Sequence, residues 1–235
     1  MTVQEIMGSL KSLGSESTRK ILLNHGMKEP LFGVKISDLK PIEKKIKKDY
    51  KLAKDLYATG NADAMYLAGL IADDEKMTKA DLQLWVRQAV SQNISEYTVP
   101  WVAAGSHHGF ELALEWIESK EEHIAAAGWS TLSAVVSMKD DKELDIPLLK
   151  KLLSRIVQSI QPAKGRIRHT MNGFVIALGA YVKELTTDAL SAAKKIGTVT
   201  VNMNGTASKA PDAAAYILKI KDKGGIGKKK KTVKC

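Results

Sequence analysis

The chain has 235 residues, 44% of them hydrophobic, and carries 36 Lys and Arg against 26 Asp and Glu for a net charge of +10; that apolar fraction suffices for a core and excludes a disordered chain. Its one cysteine, Cys235, excludes an intramolecular disulfide and a cysteine-built metal cluster. No apolar run approaches the ~18 residues that cross a bilayer, and the first twenty residues lack the apolar centre of a signal peptide, so neither secretion nor membrane insertion is expected; the cysteine content fits a reducing cytoplasm, and a monomer is expected.

The charge is unevenly spread. Residues 1–60 hold 12 basic against 7 acidic side chains, residues 61–145 hold 6 against 15, and residues 146–235 hold 18 against 4. A basic excess at both ends favours a polyanionic partner, because each cation that neutralises a phosphate releases condensed counterions.

Apolar residues recur at helical spacing along most of the chain while alternating strand-like runs are scarce, which predicts an all-α protein. In chain order, Ser37 precedes DLKPIEKKIKK, and Pro41 is read as a first-turn proline whose missing amide costs nothing there. This segment gathers Lys35, Lys40, Lys44, Lys45, Lys47 and Lys48, with Lys40, Lys44 and Lys47 or Lys48 on one helical face. These lysines are candidate phosphate contacts; a solvated helix face is the alternative.

Trp85, Trp101, Trp116 and Trp129 follow one another at intervals of roughly a helix plus a turn, suggesting one large anchor per helix. Serial antiparallel helices in pairs of about 40 residues predict a HEAT-like helical-repeat solenoid, and a compact non-repeating bundle is the alternative. The pair His107–His108 in AGSHHGF lacks a third ligand at a recognisable spacing and is read as a loop or helix end, not a metal site.

Asp145 is placed to cap a helix that is entered through Pro147, presents Ile146, Leu149, Leu152, Leu153, Ile156, Val157 and Ile160 on its apolar face, and ends by Pro162. Next, GRIRHTMNGFVIALGAYVK carries an apolar stripe of Ile167, Met171, Phe174, Leu178 and Val182, widened by Val175 and Tyr181. A second stripe of Gly173, Ala177 and Ala180 is nearly free of side chain, so another helix or a flat ligand can approach it. Lys164, Arg166 and Arg168 form a second candidate phosphate-binding group at the start of this helix, where free amides assist.

Residues 196–213 read as an ordered loop with a β-prone piece at Thr198–Val201 and a turn at Asn204–Gly205. A last short helix ends near Ile220. Residues 1–220 are therefore expected to form one domain, and residues 221–235, rich in Gly and Lys, a flexible tail.

LFGVKISDLKPIEKKIKK, the serial helices and HTMNGFVIALGAYVK together resemble the bacterial AlkD-type DNA alkylation repair proteins over about residues 20–195. The resemblance implies a HEAT-like solenoid that holds duplex DNA, alkylated or structurally unusual, on a basic concave face. It further implies a DNA glycosylase that releases cationic N-alkylated purines such as 3-methyladenine and 7-methylguanine without flipping the base and without metal or organic cofactor. In that chemistry a carboxylate and aromatic faces stabilise the developing oxocarbenium cation.

Carried onto this chain, the family's late Gly-Trp pair falls on Gly173 and Phe174. Its aspartate-bearing segment resembles NISEYTVPW, where Val99 and Pro100 fix the alignment and the aspartate position is occupied by Tyr97. Glu96, one residue away, is the nearest carboxylate, although one residue on a helix swings a side chain by about 100°. For Phe174 the alternative is a core residue, and for Glu96 a favourable charge near a helix N-terminus. The family's backbone-gripping arginine falls near Ala126 and Ala127, where no arginine stands. Glu96, Tyr97 and Phe174 are thus the candidate catalytic positions, and a noncatalytic scaffold binding unusual DNA structures, RNA or an acidic protein is the second reading.

Overall fold

The computed structural model describes residues 1–201 and 210–235. Among these residues the protein is built from α-helices with short 3-10 turns and has no strand. The chain begins with α1 (Val3–Leu13) and α2 (Glu16–Asn24), followed by α3 (Ile36–Ile46), α4 (Tyr50–Tyr57), α5 (Ala62–Ile71), α6 (Lys79–Gln88) and α7 (Val99–Gly105). It continues through α8 (Gly109–Trp116), α9 (Glu122–Met138), α10 (Ile146–Ser159), α11 (Gly165–Tyr181), α12 (Thr186–Ile196) and α13 (Ala213–Asp222).

Most starts follow capping chemistry. Thr2 and Thr78 form reciprocal capping boxes with Glu5 and Asp81, and the Asp145 carboxylate accepts from the Leu148 amide at 3.0 Å, as its position in the sequence predicts. Helix α3 departs from expectation. It begins two residues earlier, at Ile36 after Lys35, and the Ser37 hydroxyl bonds the Asp38 side chain instead of capping a backbone amide. Pro41 consequently lies inside the helix, past its first turn.

The helices stack in two layers. α3, α5, α7, α9 and α11 succeed one another as an inner layer, with α9 against α11 the most extensive of these junctions, and α4 and α8 back onto α5 and α9 from the outer side. This pairwise stacking is the HEAT-like arrangement, and it buries one tryptophan on each of α6, α7, α8 and α9. Among the described residues two large core clusters result, one centred on α1 to α7 and the other on α8 to α13, beside a small one of Met27, Leu31 and Ala62.

Close junctions require small residues. A Cβ on Gly128 would meet the Ile117 backbone nitrogen at 2.7 Å, so α9 can approach α8 only with glycine there. The LFGVK segment is held by a buried carboxylate: Asp63 accepts from the amides of Phe32, Gly33 and Val34 at 2.6, 3.0 and 3.1 Å. That cage fixes the approach to α3.

Residues 197–201 form a loop with Val199 buried, and the expected turn at Asn204–Gly205 lies outside the described residues. The expectation of a free tail differs from the structure. After α13, Gly224 and Gly227 adopt φ of 63° and 75°, reversing the chain so that residues 227–235 lie back across the inner layer. The Gly227 amide donates to Ala180 O and the Lys230 amide to Ser137 O, each at 2.8 Å. Carboxylates of the acidic middle of the chain hold the tail lysines, a partnership invisible in a lysine-rich segment read alone.

Candidate nucleic-acid interface

The inner layer carries a cleft of about 570 Å³ bordered by Tyr97 and Trp101, by Ser133 and Ser137 of α9, and by Gly173 and Ala177 of α11. Toward the N-terminal helices it opens into a hollow of about 430 Å³, where His25, Ile36 and Tyr66 join Tyr97, Glu96 and Arg166. Aromatic edges line the junction: the Tyr66 and Trp101 rings meet edge-on at 5.4 Å, and Tyr97 tilts against Trp101 at 6.1 Å.

A π-helical turn at Ile94–Thr98 presents Glu96 and Tyr97. Its closing bond runs from the Val99 amide to Ile94 O, a five-residue step, and Pro100 follows with no amide to donate. Val99 and Pro100 therefore continue a helix already under way instead of starting one. Gly69 on α5 permits this wide turn, since a Cβ there would meet Thr98 Cγ2 at 2.5 Å.

The two candidate residues on the turn diverge. Tyr97 is half exposed and borders the cleft. The Glu96 side chain is only 3% exposed and is held at both oxygens by Arg166, with Nε donating to Oε1 at 2.6 Å and a terminal guanidinium nitrogen to Oε2. Burial pushes the Glu96 carboxyl above its ordinary value, Arg166 pulls it back, and Glu122 adds repulsion. Glu122 also fixes Arg166 by accepting from its backbone amide at 2.8 Å. Glu96 is thus not a free carboxylate: it lies in the first turn of the π-helical segment and is half of a buried ion pair joining that turn to α11.

Phe174 takes its alternative reading. It is fully buried, its ring 5.5 Å from Trp129, because it belongs to the same apolar stripe as Met171 and Leu178. The cleft instead sees Gly173, around whose Cβ position there is no atom within 4 Å. Ala126 and Ala127 are fully buried in α9, so neither of these two side chains reaches a ligand.

Of the expected phosphate contacts, Lys35, Lys44, Lys47, Lys48 and Lys164 are exposed. Lys40 is half-buried, pairs with Glu43 at 3.0 Å and touches the backbone oxygen of Cys235. The two arginines are engaged within the protein: Arg166 with Glu96, and Arg168 with Thr200 O at 3.0 Å and Ala163 O at 2.8 Å.

Two features of the cleft depart from a sequence reading in which His169 adds positive charge beside the small-residue stripe and the tail is free. His169 stands beside Arg166, and its imidazole is pushed down to about 4 by burial first and by the neighbouring guanidinium second, so it is neutral at pH 7. The chain between Gly227 and Cys235 crosses the cleft, with Lys230 over the Tyr181 ring at 5.3 Å and Cys235 Sγ 2.9 Å from the Tyr66 hydroxyl. Its sequence signals are the glycines that reverse the chain and Val233, which packs against both cores.

The described residues contain no group of three or more His, Cys, Asp or Glu positioned to hold a metal, and no helix among them is long and apolar enough to cross a membrane. His107 and His108 occupy the turn between α7 and α8, as their sequence context predicts.

Comparison with known proteins bears on this arrangement. Uncharacterized proteins of Listeria innocua serovar 6a and Listeria monocytogenes serovar 1/2a are 32% and 33% identical to the chain over 229 residues, each alignment covering 95% of this chain and 99% of the relative. A solved structure described as a new family of proteins related to the HEAT-like repeat DNA glycosylases, with affinity for branched DNA structures, matches with a TM-score of 0.92 at 34% identity and covers 100% of both chains. The model of the DNA alkylation repair enzyme family matches residues 6–208, and the chain belongs to that family.

Proposed function

We propose that this protein binds DNA along the inner layer of its helical stack, gripping backbone phosphates and recognising branched or otherwise unusual structures, without hydrolysing the N-glycosidic bond of alkylated purines. The observation that carries this reading is the Glu96–Arg166 pair. Glycosylase chemistry on a cationic purine draws on a carboxylate facing the sugar, and the nearest acidic side chain is buried and neutralised by a guanidinium. Losing such a carboxylate costs several kcal/mol of transition-state stabilisation, equivalent to orders of magnitude in rate.

Support for DNA as the ligand comes from family membership, from the branched-DNA affinity of the structural neighbour, and from the exposed lysines of α3, the helix whose Ile36 lines the hollow. Aromatic edges at Tyr97 and Trp101 suit unpaired or splayed bases, which a junction exposes and an intact duplex does not.

The test pairs two measurements. Anisotropy titrations with a three-way junction, a linear duplex of equal length and a single strand should give tightest binding to the junction, weakening steeply with salt. Chromatography of methylated duplex should show no free 3-methyladenine or 7-methylguanine. Release that is lost in Glu96→Gln would instead establish an alkylpurine glycosylase with Glu96 as its carboxylate.

A further inference from the structure

We infer that residues 228–231 are a fixed phosphate-binding element that the C-terminal segment lays across the cleft; the inference rests on the DNA-binding reading above. The segment is anchored at both ends. Lys229 pairs with Asp141 at 2.8 Å and also donates to Val136 O, while Lys234 pairs with Asp74 at 2.6 Å and donates to Ala72 O. Both anchoring side chains are largely buried, at 16% and 15% exposure. Val233 packs between them into both cores, and the Lys230 amide ties the strap to Ser137 O.

These anchors consume two lysines and leave three. Lys228, Lys230 and Lys231 are exposed, and among the described residues none of the three ammonium groups is paired with a carboxylate. Lys230 borders the cleft itself. Four consecutive residues span at most about 10 Å, the length of about three nucleotide steps at 3.4 Å of axial rise along one strand.

Charge placement gives the segment its consequence. Residues 61–145 carry a net −9 and supply α5, α7 and α9 of the inner layer, a surface that by itself repels phosphate. The strap neutralises Asp74 and Asp141 and presents three cations that have no carboxylate partner among the described residues. It thereby supplies contacts that Arg166 and Arg168, engaged within the protein, do not. Because both ends are pinned, little ordering entropy remains to be lost on binding.

The experiment compares two triple variants of the full chain with wild type. One is Lys228→Gln, Lys230→Gln, Lys231→Gln; the other is Lys219→Gln, Lys221→Gln, Lys223→Gln, which removes the same charge from exposed positions on and just after α13. Each is titrated against a fluorescent three-way junction across a salt series, with folding checked by thermal melts. The strap variant should bind about tenfold or more weakly at 0.1 M salt and lower the slope of log K against log salt by about two to three units, while the α13 variant stays within about one unit of wild type. Equal losses in both variants would reduce the effect to net charge and overturn the inference. Unchanged or tighter binding by the strap variant would also overturn it, tighter binding meaning that the segment obstructs the cleft. No binding by wild type would remove the DNA-binding reading itself, an outcome separate from either.

Discussion

Glu96 and Arg166 stand 70 residues apart in the chain yet meet through both carboxylate oxygens, fastening the π-turn before α7 to the first turn of α11. Removing one partner of so enclosed a pair strands the other charge. Arg166→Met should therefore destabilise the fold by about 3–5 kcal/mol, and the double change Glu96→Leu with Arg166→Met should recover much of that loss. Urea denaturation of wild type, Arg166→Met and the double variant measures both effects, and a double variant no more stable than Arg166→Met would show that the site does not repack.

Phe174 and Tyr97 divide the roles that resemblance assigns to both. Phe174→Ala empties a fully buried position and should cost about 3–5 kcal/mol, with DNA affinity per folded molecule unchanged. Tyr97→Ala, at a half-exposed position on the cleft, should leave stability within about 1 kcal/mol and weaken junction binding by about 1–3 kcal/mol through lost base stacking. Denaturation and anisotropy on both variants separate the two.

Two helical glycines should respond oppositely to alanine. At Gly173 the added methyl meets no atom within 4 Å, so Gly173→Ala should raise stability by about 0.5–1 kcal/mol from helix propensity alone. Gly128→Ala forces a methyl against the Ile117 backbone and should cost about 1–3 kcal/mol. Thermal melts of both variants read the sign directly.

His169 makes acid sensitivity specific. Its imidazole is held down to about 4 in the fold against about 6.5 in an unfolded chain, so between those values the unfolded state binds the extra proton. The stability this contributes is fully present above pH 6.5 and is lost as pH falls toward 4, at no more than about 1.4 kcal/mol per pH unit. His169→Asn should flatten that part of the curve, measured by urea midpoints from pH 7 to 4.

Exposed lysines and engaged arginines should differ in salt dependence. Lys44→Gln, Lys47→Gln and Lys48→Gln should each lower the slope of log K against log salt by about one unit. Arg168→Gln, which gives up its bonds to Thr200 O and Ala163 O, should lower the melting temperature and leave the slope near that of wild type.

What sequence reveals here is local. Asp145 capping α10, one tryptophan per helix from α6 to α9, and the stripe that buries Phe174 all follow from spacing within a turn or two. The π-turn does not, because it depends on Gly69 making room for Thr98 from another helix, and a wide turn displaces every register counted through Val99 and Pro100. Nor does the strap: Lys234 and Asp74 are 160 residues apart, and a lysine among glycines looks solvated until a carboxylate is brought beside it. The fate of Arg166 escaped for the same reason.

A stack of helix pairs behaves as a spring, each joint free to flex a little against the next. Here the backbone from Gly227 to Cys235 runs like a string across a bow, tied at Ala180 near one end, at Ser137 midway, and to Asp74 and Lys40 toward the other. Opening the curve lengthens that path and tugs on every knot, so the curvature offered to a ligand is set by the string as much as by the joints.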